Sequence, residues 1–84
     1  MGKYSKLLLQ VLRGLSDTNI EFGELCGLLK QLGFEMRVRG SHHIFTLNGV
    51  REQLNLQKDG AQAKPYQVKQ VRMVISKYQL GKDL

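Results

Sequence analysis

The sequence predicts an α+β fold: two helices, a three-stranded antiparallel sheet, then a third helix, with the helices covering one face of the sheet. Apolar residues recur at helical spacing near both ends of the chain, while the middle alternates with a period of two. Asn48-Gly49 lies between two alternating runs, where that dipeptide favours a β-hairpin. A chain of 84 residues supports one small core. We divide it into an N-terminal helical extension, residues 1–18, and a domain over 19–84.

In the first segment, about residues 3–13, Tyr4, Leu7, Leu8, Val11 and Leu12 share a helical face, and Gly14 can close the helix in a left-handed cap. Thr18-Asn19-Ile20-Glu21 fits a capping box for the second helix. Phe22, Leu25, Cys26, Leu29 and Leu32 form its stripe, and Gly33 its C-terminal cap. Phe34, Met36 and Val38 then alternate with Glu35, Arg37 and Arg39, which predicts a half-buried strand with a basic outer face. Gly40-Ser41 turn or kink the chain into a strand over 41–47. A third strand over 50–56 has Leu54 and Leu56 in phase. The polar run 58–63 reads as a loop. Pro65 suits the first turn of a helix that buries Val68, Val71, Ile75 and Tyr78 and ends at Gly81.

Composition narrows the function classes. Thirteen Lys and Arg against seven Asp and Glu give a net charge of +6, which favours a polyanionic partner such as nucleic acid or an acidic surface. The excess is uneven: residues 1–34 carry four positive and three negative side chains, residues 35–84 nine and four. The single Cys26 supplies neither an intrachain disulfide nor a paired-cysteine zinc site, and a reducing cytosol is its natural setting. No apolar run approaches the roughly 20 residues that cross a bilayer. The acids are too scattered for a carboxylate pair or an acidic metal site, and no glycine-rich phosphate loop is present. No metal and no cofactor is implied.

The residues with chemical potential are His42 and His43. Strand parity puts His43 with Phe45 and Leu47, facing the core, and His42 with Ile44 and Thr46, facing outward. A bulge at Gly40-Ser41 would exchange the two faces. A free imidazole titrates near ~6.5 and can exchange a proton at neutral pH. RNA carries its own nucleophile, the 2′-hydroxyl, so metal-free cleavage requires a base for that hydroxyl and an acid for the leaving 5′-oxygen. Arg37 and Arg39 share the outer face and can hold the phosphate, and Lys58, Lys64, Lys69 and Arg72 can extend a phosphate-binding surface. Lys64 precedes a helix N-terminus, where backbone amides favour anions. Cys26 belongs to an apolar stripe and reads as core. Tyr66 can stack a base or pack.

Two stretches together resemble a family. Leu29, Leu32, Gly33 and Phe34, followed by Arg37, Gly40, Ser41, His42 and Phe45, are similar to the pattern of the HicA-like (YcfA-like) toxins of bacterial toxin–antitoxin pairs: Leu-x-x-x-Gly-Phe/Trp, then Arg-x-x-Gly-Ser-His-x-x-Phe/Tyr. The resemblance covers about residues 20–80 and includes the helix after Lys64-Pro65. It implies a fold like a double-stranded-RNA-binding domain, α-β-β-β-α, and an mRNA interferase that cleaves RNA with a histidine and without a metal. It also implies neutralisation by a HicB-like antitoxin. By motif the histidine is His42, with His43 the alternative because a family member can place it one residue later. Gly40 and Ser41 set the backbone there. The sequence departs from the pattern in residues 1–18, absent from the shortest members, and in Leu56-Gln57-Lys58-Asp59-Gly60, where many members have a Val-Pro-His-type segment.

Three functions fit these residues: a cytoplasmic ribonuclease toxin, a non-catalytic RNA-binding module on the same basic face, and a protein-interaction domain whose basic face an acidic partner covers. RNA cleavage separates the first from the second, and RNA affinity at physiological salt separates the second from the third.

Overall fold

The segments with helical periodicity form α1 (Ser5–Arg13), α2 (Phe22–Gln31) and α3 (Pro65–Tyr78) in the computed structural model, which describes residues 3–84. Met1 and Gly2, the start of the expected extension, lie outside the described residues. The alternating segments form β1 (Glu35–Arg39), β2 (His42–Thr46) and β3 (Leu54–Leu56), antiparallel in the order β1-β2-β3. The order α2-β1-β2-β3-α3 is the α-β-β-β-α arrangement of double-stranded-RNA-binding domains, with α1 added in front.

The helix ends follow local chemistry, with two corrections. Gly14 closes α1 in the left-handed conformation, φ +69°. The expected capping box does not form. Asp17–Asn19 make a short 3-10 turn, and Glu21 precedes α2 without a side-chain cap bond. The Phe22 N–H donates to the carbonyl of Ala61 at 3.0 Å, so a distant backbone oxygen satisfies the first donor of α2. At its other end α2 closes with the paired bonds of a Schellman motif. Phe34 N–H donates to Leu29 O and Gly33 N–H to Lys30 O, both at 3.0 Å, with Gly33 at φ +102°. The same motif ends α3: Leu80 N–H donates to Ile75 O at 3.0 Å and Gln79 N–H to Ser76 O at 3.3 Å. The left-handed residue there is Gln79, at φ +52°, so α3 stops before the expected Gly81.

Turn geometry sets the sheet. β1 and β2 pair from Glu35↔Thr46 to Arg39↔His42, leaving Gly40-Ser41 as a two-residue turn without a bulge. Gly40 is the first central residue, at φ +58°, as in the type II′ turn that matches strand twist. Asn48-Gly49 also forms a turn, closed by Val50 N–H donating to Leu47 O at 3.0 Å, and it joins the expected antiparallel pair β2–β3, though not as a tight two-residue hairpin. Only Gly49 has positive φ, +86°, which is the type II pattern. Such a turn splays the strands, so β3 begins at Leu54 rather than near residue 50. The run expected to be a loop contains a small hairpin, β4 (Lys58–Asp59) with β5 (Gln62–Ala63). It docks before α2 through Phe22 N–H to Ala61 O and Ala63 N–H to Ile20 O, at 3.0 and 2.8 Å.

The core lies between the inner sheet face and the helices. Phe45, Leu54 and Leu56 are buried against a cluster that includes Leu25, Leu28 and Leu29 of α2 and Val68, Val71 and Ile75 of α3. Each such side chain contributes about 1.5–3 kcal/mol on burial. Leu8 and Val11 of α1 join the same cluster. Gly27 lets α1 approach α2, because a Cβ there would collide with the Tyr4 ring. Val38, expected inside, is 54% exposed at the end of the sheet.

Two polar clamps join distant segments. The Arg72 guanidinium on α3 makes a two-pronged ion pair with Asp17, at 2.9 and 3.1 Å, and donates to Val11 O at 3.1 Å. Glu52 accepts from the Tyr78 hydroxyl at 2.6 Å and from Lys77 Nζ at 2.8 Å, fastening the β2–β3 connection to α3. These bonds, with Lys77 first, hold the Glu52 carboxyl down at about 2 and raise the Lys77 ammonium.

Two outcomes follow. Gln79→Gly relieves a left-handed strain of ~1–2 kcal/mol, offset in part by backbone entropy, so urea unfolding should show a net gain of about 0.5–1 kcal/mol. Glu52 is depressed on folding, so its contribution to stability is complete above its ordinary value of 4.5 and disappears as pH falls towards 2. Thermal melts of Glu52→Gln should lie below wild type at pH 7 and converge with it near pH 2.

Candidate active site on the open sheet face

The outer face of the sheet carries no helix. Cross-strand partners share a face, so the register places Arg39 beside His42, Arg37 beside Ile44, and Ile44 beside Asn55 of β3. His42 is exposed, and His43 turns inward. Its ring meets the Phe22 ring edge-on at a centroid distance of 4.8 Å, and its buried Nδ1 has no hydrogen-bond partner.

His42 is held in place. Its Nδ1 lies 3.0 Å from Asn55 Oδ1. A carboxamide oxygen only accepts, so Nδ1 carries the proton and the Nε2 lone pair of the neutral ring is free. Asn55 thereby orients the imidazole and selects its tautomer. The neighbouring Ser41 hydroxyl accepts from Gln57 Nε2 at 3.2 Å, and Gln57 Oε1 accepts from Lys64 Nζ at 3.3 Å. The Gln57 backbone N–H donates to Gln67 Oε1 at 2.9 Å. The turn before His42 is thus linked to the start of α3.

The structure brings some expected site residues together and separates others. Arg37, Arg39, Gly40, Ser41 and His42 occupy one hairpin, and Lys64 reaches it through Gln57. Arg37 and Arg39 are exposed and make no ion pair among the described residues, so their charges stay available. Lys58 on β4 and Lys69 on α3 are also exposed. Burial raises the Cys26 thiol pKa on α2, against the opposing charges of Lys30 and then Lys58. Arg72 faces the other way and is engaged by Asp17. Among the described residues no three His, Cys, Asp or Glu side chains gather as a metal-ligand set, and no helix is long and apolar enough to cross a membrane.

Sequence reasoning missed Asn55, Gln57 and Gln67. Asn55 had a signal: it lies between the in-phase Leu54 and Leu56, so parity puts it on the His42 face. The two glutamines had none. We expect nitrogen chemical shifts of His42 to report the Nδ1-protonated ring in the wild type. Asn55→Ala should shift population to the Nε2-protonated form without unfolding the protein. Unchanged shifts in that variant would remove Asn55 from this role.

Neither a curated protein nor a solved structure matches the chain. One family does, the HicA toxin of bacterial toxin–antitoxin systems, over residues 22–80, which run from the first residue of α2 past the end of α3 and include the whole sheet. The chain therefore belongs to the HicA toxin family of bacterial toxin–antitoxin systems.

Proposed function

We propose that the protein is a metal-independent endoribonuclease that cuts mRNA in the cytoplasm and is neutralised by a HicB-like antitoxin. The observation that carries this reading is His42 itself: exposed on the open face, fixed through Nδ1 by Asn55, with Nε2 free and Arg39 as its cross-strand partner. In the reaction Nε2 takes the proton of an RNA 2′-hydroxyl. The 2′-oxygen attacks the adjacent phosphorus and the P–O5′ bond breaks; the protonated His42 returns its proton to the departing 5′-oxygen, directly or through water, and the products end in a 2′,3′-cyclic phosphate and a 5′-hydroxyl.

Arg39 and Arg37 support the phosphate as charge develops on its non-bridging oxygens. Their lack of acidic partners favours this role, since a paired guanidinium would first have to break its ion pair. Gly40-Ser41 fixes where His42 leaves the turn. Lys58, Lys64 and Lys69 extend the basic surface along the RNA backbone, whereas Arg72, held by Asp17, takes no part. The antitoxin covers the same open face, which is where the exposed charge lies.

RNA cleavage in EDTA, with growth arrest on expression, tests the reading. His42→Ala should lower the cleavage rate by about 10²- to 10⁴-fold while circular dichroism stays native. His43→Ala should lower stability instead. Full activity in His42→Ala would overturn the assignment, and intact RNA with salt-dependent binding by the wild type would leave a non-catalytic RNA-binding module.

A further inference from the structure

Gln67 is the only polar side chain fully buried among the described residues, 4% exposed on a helix face otherwise made of Val68, Val71, Val74 and Ile75. A buried carboxamide needs its hydrogen bonds met. Oε1 accepts from the Gln57 backbone N–H, and Nε2 donates to the Tyr66 hydroxyl at 3.2 Å. The second bond pins a ring that otherwise lies at the surface, for Tyr66 is 58% exposed. The helix thus presents an aromatic face to solvent and holds its far end with a group anchored in the core.

That ring borders a shallow depression shared with His42, Asn55, Gln57, Gln67 and Gln70. Gln57 and Gln67 have both ends of their amides engaged in holding its walls. The Asn55 amide nitrogen and the whole Gln70 amide make no bond among the described residues and remain available. The lining is neutral: amides, a phenol and one imidazole, with no carboxylate. Cations stand outside it, at Arg37, Arg39 and Lys64. A neutral site offering donors, acceptors and an exposed ring suits a flat heterocycle with a mixed hydrogen-bonding edge better than a phosphate or a carboxylate.

We propose that this depression binds one nucleobase of single-stranded RNA, stacked on Tyr66 and read at its edge by Gln70 and Asn55, next to the phosphate that faces His42. The inference rests on the RNA-cleaving reading of that face and adds a base-recognition site to it. Pinning the ring before binding removes an ordering cost from association. Stacking on an aromatic ring accepts any base, so Tyr66 supplies affinity and the two amides supply choice.

The test is fluorescence anisotropy on the full chain with 2′-fluoro octamers, which lack the 2′-hydroxyl and are not cut. Four homopolymers, one for each base, are compared with an abasic octamer of the same backbone. Wild type should bind at least one base-bearing octamer about tenfold more tightly than the abasic one. Tyr66→Ala should abolish that margin and leave abasic affinity unchanged, Tyr66→Trp should keep it, and Gln70→Ala should reorder the four bases. Equal binding of base-bearing and abasic octamers by the wild type overturns the base site while leaving RNA binding intact, as does a Tyr66→Ala variant that keeps the full margin. If no octamer binds, the RNA reading of the open face fails and the base site falls with it.

Discussion

The phase of β2 against β1 governs the molecule. The two-residue turn at Gly40-Ser41 fixes it, and with it the face on which every residue of β2 emerges. In the observed phase Phe45 is fully buried and His42 stands in the open. A slip of one residue would bury His42 and expose Phe45, forfeiting about 1.5–3 kcal/mol for the phenylalanine alone. The core therefore holds the site in place: packing of the inner face keeps the imidazole on the outer one. Gly40 lets this happen with little strain, since its left-handed backbone is one that side chains avoid.

The two faces divide the labour of a small protein. The inner face is apolar and covered. The outer face is basic, with Glu35 the one acid of β1 on that side, and Arg37 and Arg39 beside His42 make no ion pair among the described residues. The ion pairs that do form, Arg72–Asp17 and Lys77–Glu52, lie on the helix side and join segments distant in sequence. Unpaired arginines on β1 also serve the sheet, because β1 is an edge strand and charge there discourages pairing with another chain.

Periodicity made much of this legible. The stripes of α1, α2 and α3 and the alternation of β1 and β2 are visible in the sequence because burial on one face dictates them. The inward and outward assignments of His43 and His42 follow from the same rule. Two other features were not legible. Asn48-Gly49 marked the turn between two paired strands, but the dipeptide does not specify which backbone angles it adopts, and with Asn48 at negative φ the connection is splayed and β3 starts late. The β4–β5 hairpin is too short to show any period, yet it supplies the Ala61 carbonyl that meets the first N–H of α2. Around His42 the sequence showed the charges but not the amides. Gln57 and Gln67 act through contacts that join the end of β3 to α3, and nothing in their local pattern sets them apart.

The Arg72–Asp17 clamp has a consequence for how this chain can vary. Asp17 lies ahead of the segment shared with the HicA family, and Arg72 lies inside it. Their side chains are about one-fifth exposed, so loss of either leaves a partly shielded charge without its counter-charge. The N-terminal segment and position 72 are therefore coupled: removing the segment takes both the Asp17 carboxylate and the Val11 carbonyl from the Arg72 guanidinium, and leaves a cation on α3 with neither.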